Sequence, residues 1–508
     1  MRNSLISSQV RFGALILAIS SILSRLLGVL RDYLFSKIFG IGEAGGLFSL
    51  DAYYAAFRIP DLLYTLLIMS ALSTAFIPLY TKIKARDEDE SSLFASQVLN
   101  GIFLVFLGVG GLAFIFAPLF VPWIAPGLNS ESLELAIKLS RLMLLSPLFL
   151  GISSVLQGVE NVEKRFWGMA LAPLVYNLSI ILGAYFFAPQ FGVYALAGGV
   201  VLGAFLHFLV QVPSILQSSF HYRLCLPRLT RDIRDFIRLS LPRIFGMSAV
   251  QIGLLVDTIL ASLISVGALS VYMYALNLES FPYGVVAISF SVAVFSTLAE
   301  KALSKDRKEF VVTVRDSLET ILFWALPATV GLFLLREPVL SLVLRGGAFD
   351  ETAFLLTLSS FSILVWAALP QSLIPLLVRS FYALSETKTP VVLSFLTVFI
   401  NIGLSLLFTQ VYTFGVPGLA LSNLISSTIS ALLLLVFLAR FSQEKFFQFI
   451  PLRASVNILF SAGLMALAVF GLSRFTYLNL LLELLVLGTA GFCVYLGMSR
   501  LLNKGSHQ

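Results

Sequence analysis

Charge is what this sequence has least of. Asp, Glu, Lys and Arg make up 12% of its 508 residues, against about 25% in a soluble globular chain. That shortage leaves no room for a sizeable water-soluble domain. Cysteine is nearly absent too. Cys225 and Cys493 stand far apart without CxxC spacing, which excludes a disulfide framework and a cysteine metal site. The histidines are His207, His221 and His507, with no HExxH pattern, and no Walker-type glycine loop occurs. The reading therefore includes no cofactor and no ATP site, so active transport would draw on a coupling ion, the membrane potential or the substrate gradient. His207, on an apolar stretch, reads as a bonded core residue.

What fills the chain instead is apolar, 58% of it. Runs of this length without period-2 alternation predict helices in lipid, because only helices and closed barrels satisfy their backbone there. At about 20 residues per span, the sequence reads as about fourteen spans. Their approximate limits are 10–38, 47–81, 93–121, 134–157, 166–188, 193–217, 240–265, 268–298, 316–344, 352–383, 389–409, 416–439, 450–472 and 478–500. Arg2 and Arg11 before an apolar run mimic a secretory signal, but no cleavage-like site follows and the segment is kept.

The net charge of +7 is sorted by topology. Clusters such as Lys82, Lys84 and Arg86, or Lys301, Lys305, Arg307 and Lys308, fall on one side. Only Lys37, Arg336, Arg345 and Arg474 fall on the other. The positive-inside rule then places both termini in the cytoplasm, and nucleic acid has no part in the account. The basic connection around 221–239 reads as a cytoplasmic linker resting on anionic lipid. It divides two six-span lobes, 1–220 and 240–440, with 441–508 holding two extra spans and a tail. Internal echoes mark a parallel repeat: Tyr176-Asn177-Leu178-Ser179 with Ile400-Asn401-Ile402-Gly403, and Gly192-Val193-Tyr194-Ala195 with Gly415-Val416-Pro417-Gly418.

Charges inside such spans are costly, roughly 2.5–3.5 kcal/mol each at the centre, and face a protein interior or a wet cavity. The first span carries Ser24-Arg25-Leu26-Leu27-Gly28-Val29-Leu30-Arg31-Asp32. Arg25 and Asp32 are about 20° apart on the helix wheel, and Arg31 about 120° from Arg25. A structural ion pair and an anion site both fit. Span two adds Asp51, Arg58 and Asp61 around Pro60, which removes a backbone donor and predicts a kink or hinge. Span seven holds Asp257 beside Thr258, and span eight Asn277 and Glu279 before Pro282. The first pair of spans in each repeat thus has a polar centre, which favours a shared cavity over an isolated ion pair. Arg141 and Arg379 read as braces. Gly108, Gly110, Gly111, Gly198 and Gly199 read as close-packing positions.

With these residues in hand, the chain resembles the MurJ (MviN) family of lipid II flippases, within the multidrug/oligosaccharidyl-lipid/polysaccharide exporter superfamily. The stretch Ser24–Asp32 carries the resemblance, with Asp51-Ala52-Tyr53-Tyr54-Ala55-Ala56-Phe57-Arg58-Ile59-Pro60-Asp61, Ala71-Leu72-Ser73-Thr74, Val256-Asp257-Thr258 and Phe281-Pro282-Tyr283-Gly284. It implies an all-α polytopic protein with two six-helix lobes in a V, plus two C-terminal helices. It implies a cationic cavity in which Arg25, Arg31 and Arg58 attract the pyrophosphate of lipid II. Ser24, Asp32, Asp51, Asp257, Asn277 and Glu279 would line or couple that cavity, with Gly28, Pro60 and Pro282 as hinges. The implied role is flipping of peptidoglycan precursor across the bacterial inner membrane by alternating access. Lipid II and membrane lipids are the implied partners, with the cell-wall synthesis machinery a further one. The sequence departs from the family pattern at Tyr64-Thr65, at Met69-Ser70 and at Asn277, where the family carries other residues, basic ones at the first and last of these. A flippase for another lipid-linked glycan and a MATE-like exporter are the neighbouring readings. A membrane-embedded transferase would need His207 as a base, and a cell-wall scaffold would tolerate neutral cavity residues.

Overall fold

A computed structural model of the chain describes residues 8–40, 46–69, 75–303, 307–474 and 479–504. In chain order its helices are α1 (Ser8–Ile38), α2 (Leu50–Tyr64), α3 (Ile77–Lys84), α4 (Glu88–Val105), α5 (Gly111–Ile124), α6 (Ser130–Met143), α7 (Leu145–Val162), α8 (Trp167–Phe191), α9 (Val193–Leu209) and α10 (Val212–Leu216). They continue with α11 (Arg231–Ile264), α12 (Ala268–Leu303), α13 (Arg307–Leu334), α14 (Arg336–Val343), α15 (Glu351–Ala383), α16 (Lys388–Leu406), α17 (Val416–Ser442), α18 (Leu452–Ser473) and α19 (Leu480–Lys504). Among the described residues, eleven helical stretches are long and apolar enough to cross a membrane. The three other expected spans fall on α1, α2 and α12. Of these, α1 and α2 carry the mid-helix charges, and α2 runs only 15 residues before its geometry changes.

Local sequence sets the helix starts. Asp87 accepts from the N–H groups of Asp89 and Glu90 at the head of α4, Asn129 from Ser132 at α6, and Asp350 from Ala353 at α15. The solvent pattern of a soluble protein is inverted. Leu107, Ile115 and Phe186 are more than half exposed, while Ser140, Ser153, Ser360 and Ser405 are fully buried. Small residues inside let helices approach, and lipid covers the large ones outside. Within α15 the hydroxyls of Ser360, Ser372 and Ser380 donate to carbonyls one turn back, so burying them strands no donor.

The helices form two compact units, Met1–Ser270 with Gly346–Phe349, and Val271–Arg345 with Asp350–Gln508. The packing boundary thus lies after the seventh span, whereas the sequence repeat divides at 221–239. The expected linker is extended only to Thr230. From Arg231 it is helical and continuous with the seventh span, because the Thr230 side chain accepts from the Ile233 N–H and no helix breaker follows before Pro242. In the second unit Phe310, Val314 and Ile321 of α13 pack with Leu376, Phe381, Leu434 and Leu438 of α15 and α17. The last two spans dock on the other side of α13 through Met465, Leu487 and Tyr495, whose hydroxyl donates to the Phe323 carbonyl at 2.6 Å.

The repeat is visible in backbone conformation. Gly192 and Gly415 head α9 and α17 with nearly the same dihedrals, φ 55°, ψ −137° and φ 63°, ψ −143°, a region that a side chain would strain. Lys164 and Ser385 are both left-handed at the ends of α7 and α15. Each is followed by an N–H bonded five residues back, Arg165 to Glu160 and Glu386 to Phe381, both 2.9 Å. These are paired Schellman-type stops. Of the glycines expected to permit close packing, Gly199 does so: a Cβ there would meet Ile180 Cα at 2.9 Å. Gly108, Gly110, Gly111 and Gly198 face open space instead. The first two lie in a π-helical turn, Phe106–Gly110, where the wider backbone rather than a neighbouring helix accounts for them.

Candidate functional site

The polar centre of the first unit is built on α1, α2 and α11. On α1, Arg31 and Asp32 are adjacent. Arg31 bends its guanidinium back so that Nη2 and Nε meet Asp32 Oδ1 at 2.8 and 3.1 Å. Asp32 is 2% exposed, so this contact offsets much of what an isolated carboxylate would cost. Phe35, one turn on, places its ring 5.8 Å from the Arg31 guanidinium and packs edge-on against Tyr53. Tyr53, Tyr54 and Tyr176 surround the same arginine within electrostatic reach. Both Asp32 contacts use one edge of Arg31, which leaves the Nη1 side of the fork uncommitted by Asp32. Arg25, two turns earlier, is half-buried, and Ser24 beside it accepts from Asn177 Nδ2 of α8 at 3.1 Å. Gly28, between the two arginines, continues the helix and has open space around it.

On α2 the polar residues point to α11, and the match is antiparallel. The Asp61 carboxylate hydrogen-bonds Gln251, the Arg58 Nε donates to Thr258 Oγ1 at 2.7 Å, and Thr258 donates onward to the Leu254 carbonyl at 2.7 Å. Asp51 completes the row beyond the end of α11. It accepts from the Gly267 N–H at 2.6 Å, the Ser270 N–H at 2.8 Å and the Ser270 hydroxyl at 2.5 Å. Asp51 thereby caps the start of α12, where orphan N–H groups and the helix dipole favour a carboxylate. This row of contacts is why α11 packs with the first unit. A second tie supports it: the Gly127 N–H donates to Ser262 Oγ at 3.3 Å, and a Cβ on Gly127 would collide with the Ser262 carbonyl.

Asp257 is buried next to Thr258. Pro60 is buried within α2, and the regular α-helix ends four residues later in a π-helical turn, Thr65–Met69. That turn is where the geometry changes, and nothing in the sequence beyond Pro60 announced it. Tyr64 and Thr65, in place of the family's cations, are inward-facing here: Tyr64 shares a hydrogen bond with Ser154 at 3.1 Å, and Thr65 is 7% exposed. The stretch Ala71–Thr74 lies outside the described residues, as do the side chains around Pro282. On α12 in the second unit Glu279 is 1% exposed and Asn277 half-buried, its carbonyl accepting from Ser280 at 2.8 Å.

Several members of the site went unread in the sequence. Gln251 lies seven residues before Thr258, already marked beside Asp257, with the same one-face spacing as Arg25 with Asp32 and Asp51 with Arg58, and that signal was available. Tyr53, Tyr54 and Tyr176 gave none, since aromatics are common in lipid-facing spans. His207 is where the sequence placed it. Its Nδ1 lies 2.6 Å from Ser153 Oγ, with Gln211 bonded to the same serine, a closed network inside the first unit. Arg141 donates to the Phe114 carbonyl at 3.0 Å, and Arg379 to Ser291 at 2.8 Å, both as braces.

Comparison with known proteins supplies the family. The family model described as lipid II flippase MurJ matches residues 35–490. A lipid II flippase MurJ from Thermosipho africanus is 30% identical over 479 residues, covering 94% of this chain and 95% of the relative. A probable lipid II flippase MurJ from Haemophilus influenzae is 29% identical over 435 residues, covering 82% and 83%. A solved structure titled "Lipid II flippase MurJ, inward closed conformation" superposes with a TM-score of 0.80 at 28% identity, over 97% of this chain and 100% of that one. An inward-facing MATE transporter of the MOP superfamily shares the fold at 15% identity, with a TM-score of 0.73 over 83% of this chain and 94% of that one. An all-helical, multi-pass membrane protein with a buried guanidinium–carboxylate pair on its first helix, the chain belongs to the lipid II flippase MurJ family.

Proposed function

We propose that this protein carries lipid II from the cytoplasmic to the outer leaflet of a bacterial inner membrane by alternating access, with both termini in the cytoplasm, and that it performs no covalent chemistry on its substrate. The Arg31–Asp32 pair inside a membrane-spanning helix, with its carboxylate buried, carries the reading: such a pair is expensive for a fold that needs only packing, and apt for a pyrophosphate. Arg31 meets phosphate oxygens with the edge of its fork that Asp32 does not use, and Arg25 on α1 and Arg58 on α2 add charge. A planar guanidinium stays charged in lipid and pairs with phosphate in a fixed geometry. Asp32 holds Arg31 in position, Asp51 fixes the start of α12, and Asp257 and Glu279 are the buried acids that a coupling ion would meet. Gly28, Pro60 and Pro282 are the proposed hinges. With the cell interior negative, outward movement of an anionic headgroup runs with the field, by about 2.3 kcal/mol per charge per 100 mV.

The test is lipid II flipping in proteoliposomes, wild type against Arg25→Ala and Arg31→Lys. Flipping should fall at least tenfold in each. Undiminished flipping in both variants refutes the anion-binding assignment.

A further inference from the structure

The connection between the lobes is built as a wall. Residues 221–225 run extended along α4 and are stitched to it by three side chains spaced four apart. Ser92 Oγ accepts from the His221 N–H at 3.2 Å, Ser96 Oγ accepts from the Arg223 N–H at 2.9 Å, and Asn100 Nδ2 donates to the Cys225 carbonyl at 2.8 Å. Four residues of helix rise about 6 Å, and two residues of extended chain about 6.6 Å. The two repeats stay in register over both steps, and the backbone groups of alternate residues 221, 223 and 225 all face the helix.

The strap therefore climbs α4 by eight residues, about 12 Å, from the charged turn at its head toward the acyl region. Its other alternate side chains, Tyr222 and Leu224, line a groove of about 480 Å³ inside the first unit together with Phe103, Ile152, Leu156 and Phe208. That volume is within the range of small-molecule sites. The polar groups in its wall are spent on each other, with the Tyr222 hydroxyl donating to Asn100 Oδ1 at 2.8 Å. The groove offers an occupant nothing but hydrocarbon. Beside it, Leu224 is 90% exposed and Leu226 76%, side chains that belong in lipid rather than water. Two arginines flank these leucines. Arg223 is ion-paired with Asp89 at 2.5 Å, while Arg228 is exposed and makes no ion pair among the described residues.

We infer that this groove is a binding site for one anionic phospholipid of the cytoplasmic leaflet, with an acyl chain against Leu156 and Phe208 and the headgroup phosphate on Arg228. The site is separate from the arginines of the first helix, and the inference does not depend on the flipping reaction. It assigns the linker a specific lipid contact where Arg228 follows, four residues along the strap, the Leu224 that lines the groove.

Native mass spectrometry of the full chain, delipidated in neutral detergent and titrated with phosphatidylglycerol or phosphatidylcholine of the same chains, tests it. Wild type should retain one phosphatidylglycerol about fivefold more tightly than phosphatidylcholine, the increment of one basic residue toward an anionic surface. Arg228→Gln should erase that preference. Ile152→Trp, which fills the groove, should weaken both lipids, and Leu224→Gln, an exposed change with no burden on folding, should do the same more mildly. Equal retention of the two lipids by wild type overturns the proposal, as does an unchanged preference in Arg228→Gln. Retention untouched in Leu224→Gln overturns the groove as the seat of the chain. A neutral polyisoprenol that displaces phosphatidylglycerol irrespective of Arg228 would make the occupant an isoprenoid and also overturn it.

Discussion

The two halves of the repeat share their backbone devices and differ in where their polar side chains reach. Asn177 and Asn401 sit in corresponding motifs. Asn177 donates to Ser24 on the charged first helix, while Asn401 donates to Ser426 on the next helix in its own half, both at 3.1 Å. Glu163 precedes and Glu386 follows one of the paired left-handed residues, Lys164 and Ser385. Glu163 bonds Lys84 and Ser219, far away in sequence, and Glu386 accepts from the N–H groups of its near neighbours Lys388 and Thr389. The pattern extends to the centres. In the first unit Arg58 and Asp51 reach across some 200 residues of chain, whereas α16 and α17 are joined by the neutral pair Ser405–Ser422 at 2.6 Å. A local hydrogen bond rides with its helices wherever they go, and a long-range one registers their movement. Neutral interhelical bonds in membranes contribute about 0.6 kcal/mol each, whereas charges cost several times that. Stability alone gives no reason for the first half to keep them.

The sharpest way to break the comparison is to remove charge from the first half. Arg31→Ala strips the buried Asp32 of its guanidinium, and a loss of about 3–5 kcal/mol is expected, read as a lowered unfolding temperature in detergent. Arg31→Met with Asp32→Leu should restore stability and leave flipping abolished, because packing replaces the pair and nothing replaces its charge. If the double variant flips lipid II, the pair is structural. Next in size is the paired glycine. Gly192→Ala drives a Cβ into the Leu47 carbonyl oxygen as well as forcing the left-handed backbone. It should lose more than the about 1–3 kcal/mol of strain expected for Gly415→Ala. Equal losses would mean that the contact with Leu47 relaxes freely.

A smaller effect separates the two glutamates by pH. Burial pushes the Glu163 carboxyl up, but the bonds and charge from Lys84 and Ser219 outweigh it and hold the group below the usual carboxylate range. The Glu386 carboxyl is also held low, by the N–H of Thr389 first. A depressed folded value stabilises above the unfolded carboxylate range, about pH 4.3. That stability is lost as pH falls through the folded value, so neither group should register between pH 7 and 5. Below that, Glu163→Gln should remove part of the fall in melting temperature, worth about 1 kcal/mol for a partly buried pair, and Glu386→Gln less. A larger effect from Glu386→Gln would reverse the assignment of long-range ties to the first half.

How legible this was in the sequence follows from range. The spans, the parallel repeat and the charged positions on α1 and α2 are written in local composition and spacing. The partners are not. That Asp51 would cap α12, that Arg58 would meet Thr258, and that α11 would pack with the first unit depend on residues some 200 positions away. The course of the linker was hidden for the same reason: Ser92, Ser96 and Asn100, which hold it to α4, look like ordinary small polar residues in a span. The π-helical turn after Pro60 has no sequence sign of its own.

The smallest expected effect is also the one that isolates the comparison. Asn177→Ala and Asn401→Ala each remove one interhelical hydrogen bond, and each should lower stability by about 0.6 kcal/mol, a difference best read by equilibrium unfolding in matched detergent. Their stability costs should be indistinguishable, because the two bonds have the same length and chemistry. Their effects on flipping should not be. Asn177 holds Ser24, next to Arg25, so its loss loosens the helix that carries the proposed anion site, and the lipid II flipping rate should fall about twofold to threefold, the same energy read as a rate. Asn401 ties two neighbouring helices of the second half, and its loss should leave the rate unchanged. Equal rates for the two variants would show that the long reach of the first-half contact carries no functional weight, even with the charges on α1 intact.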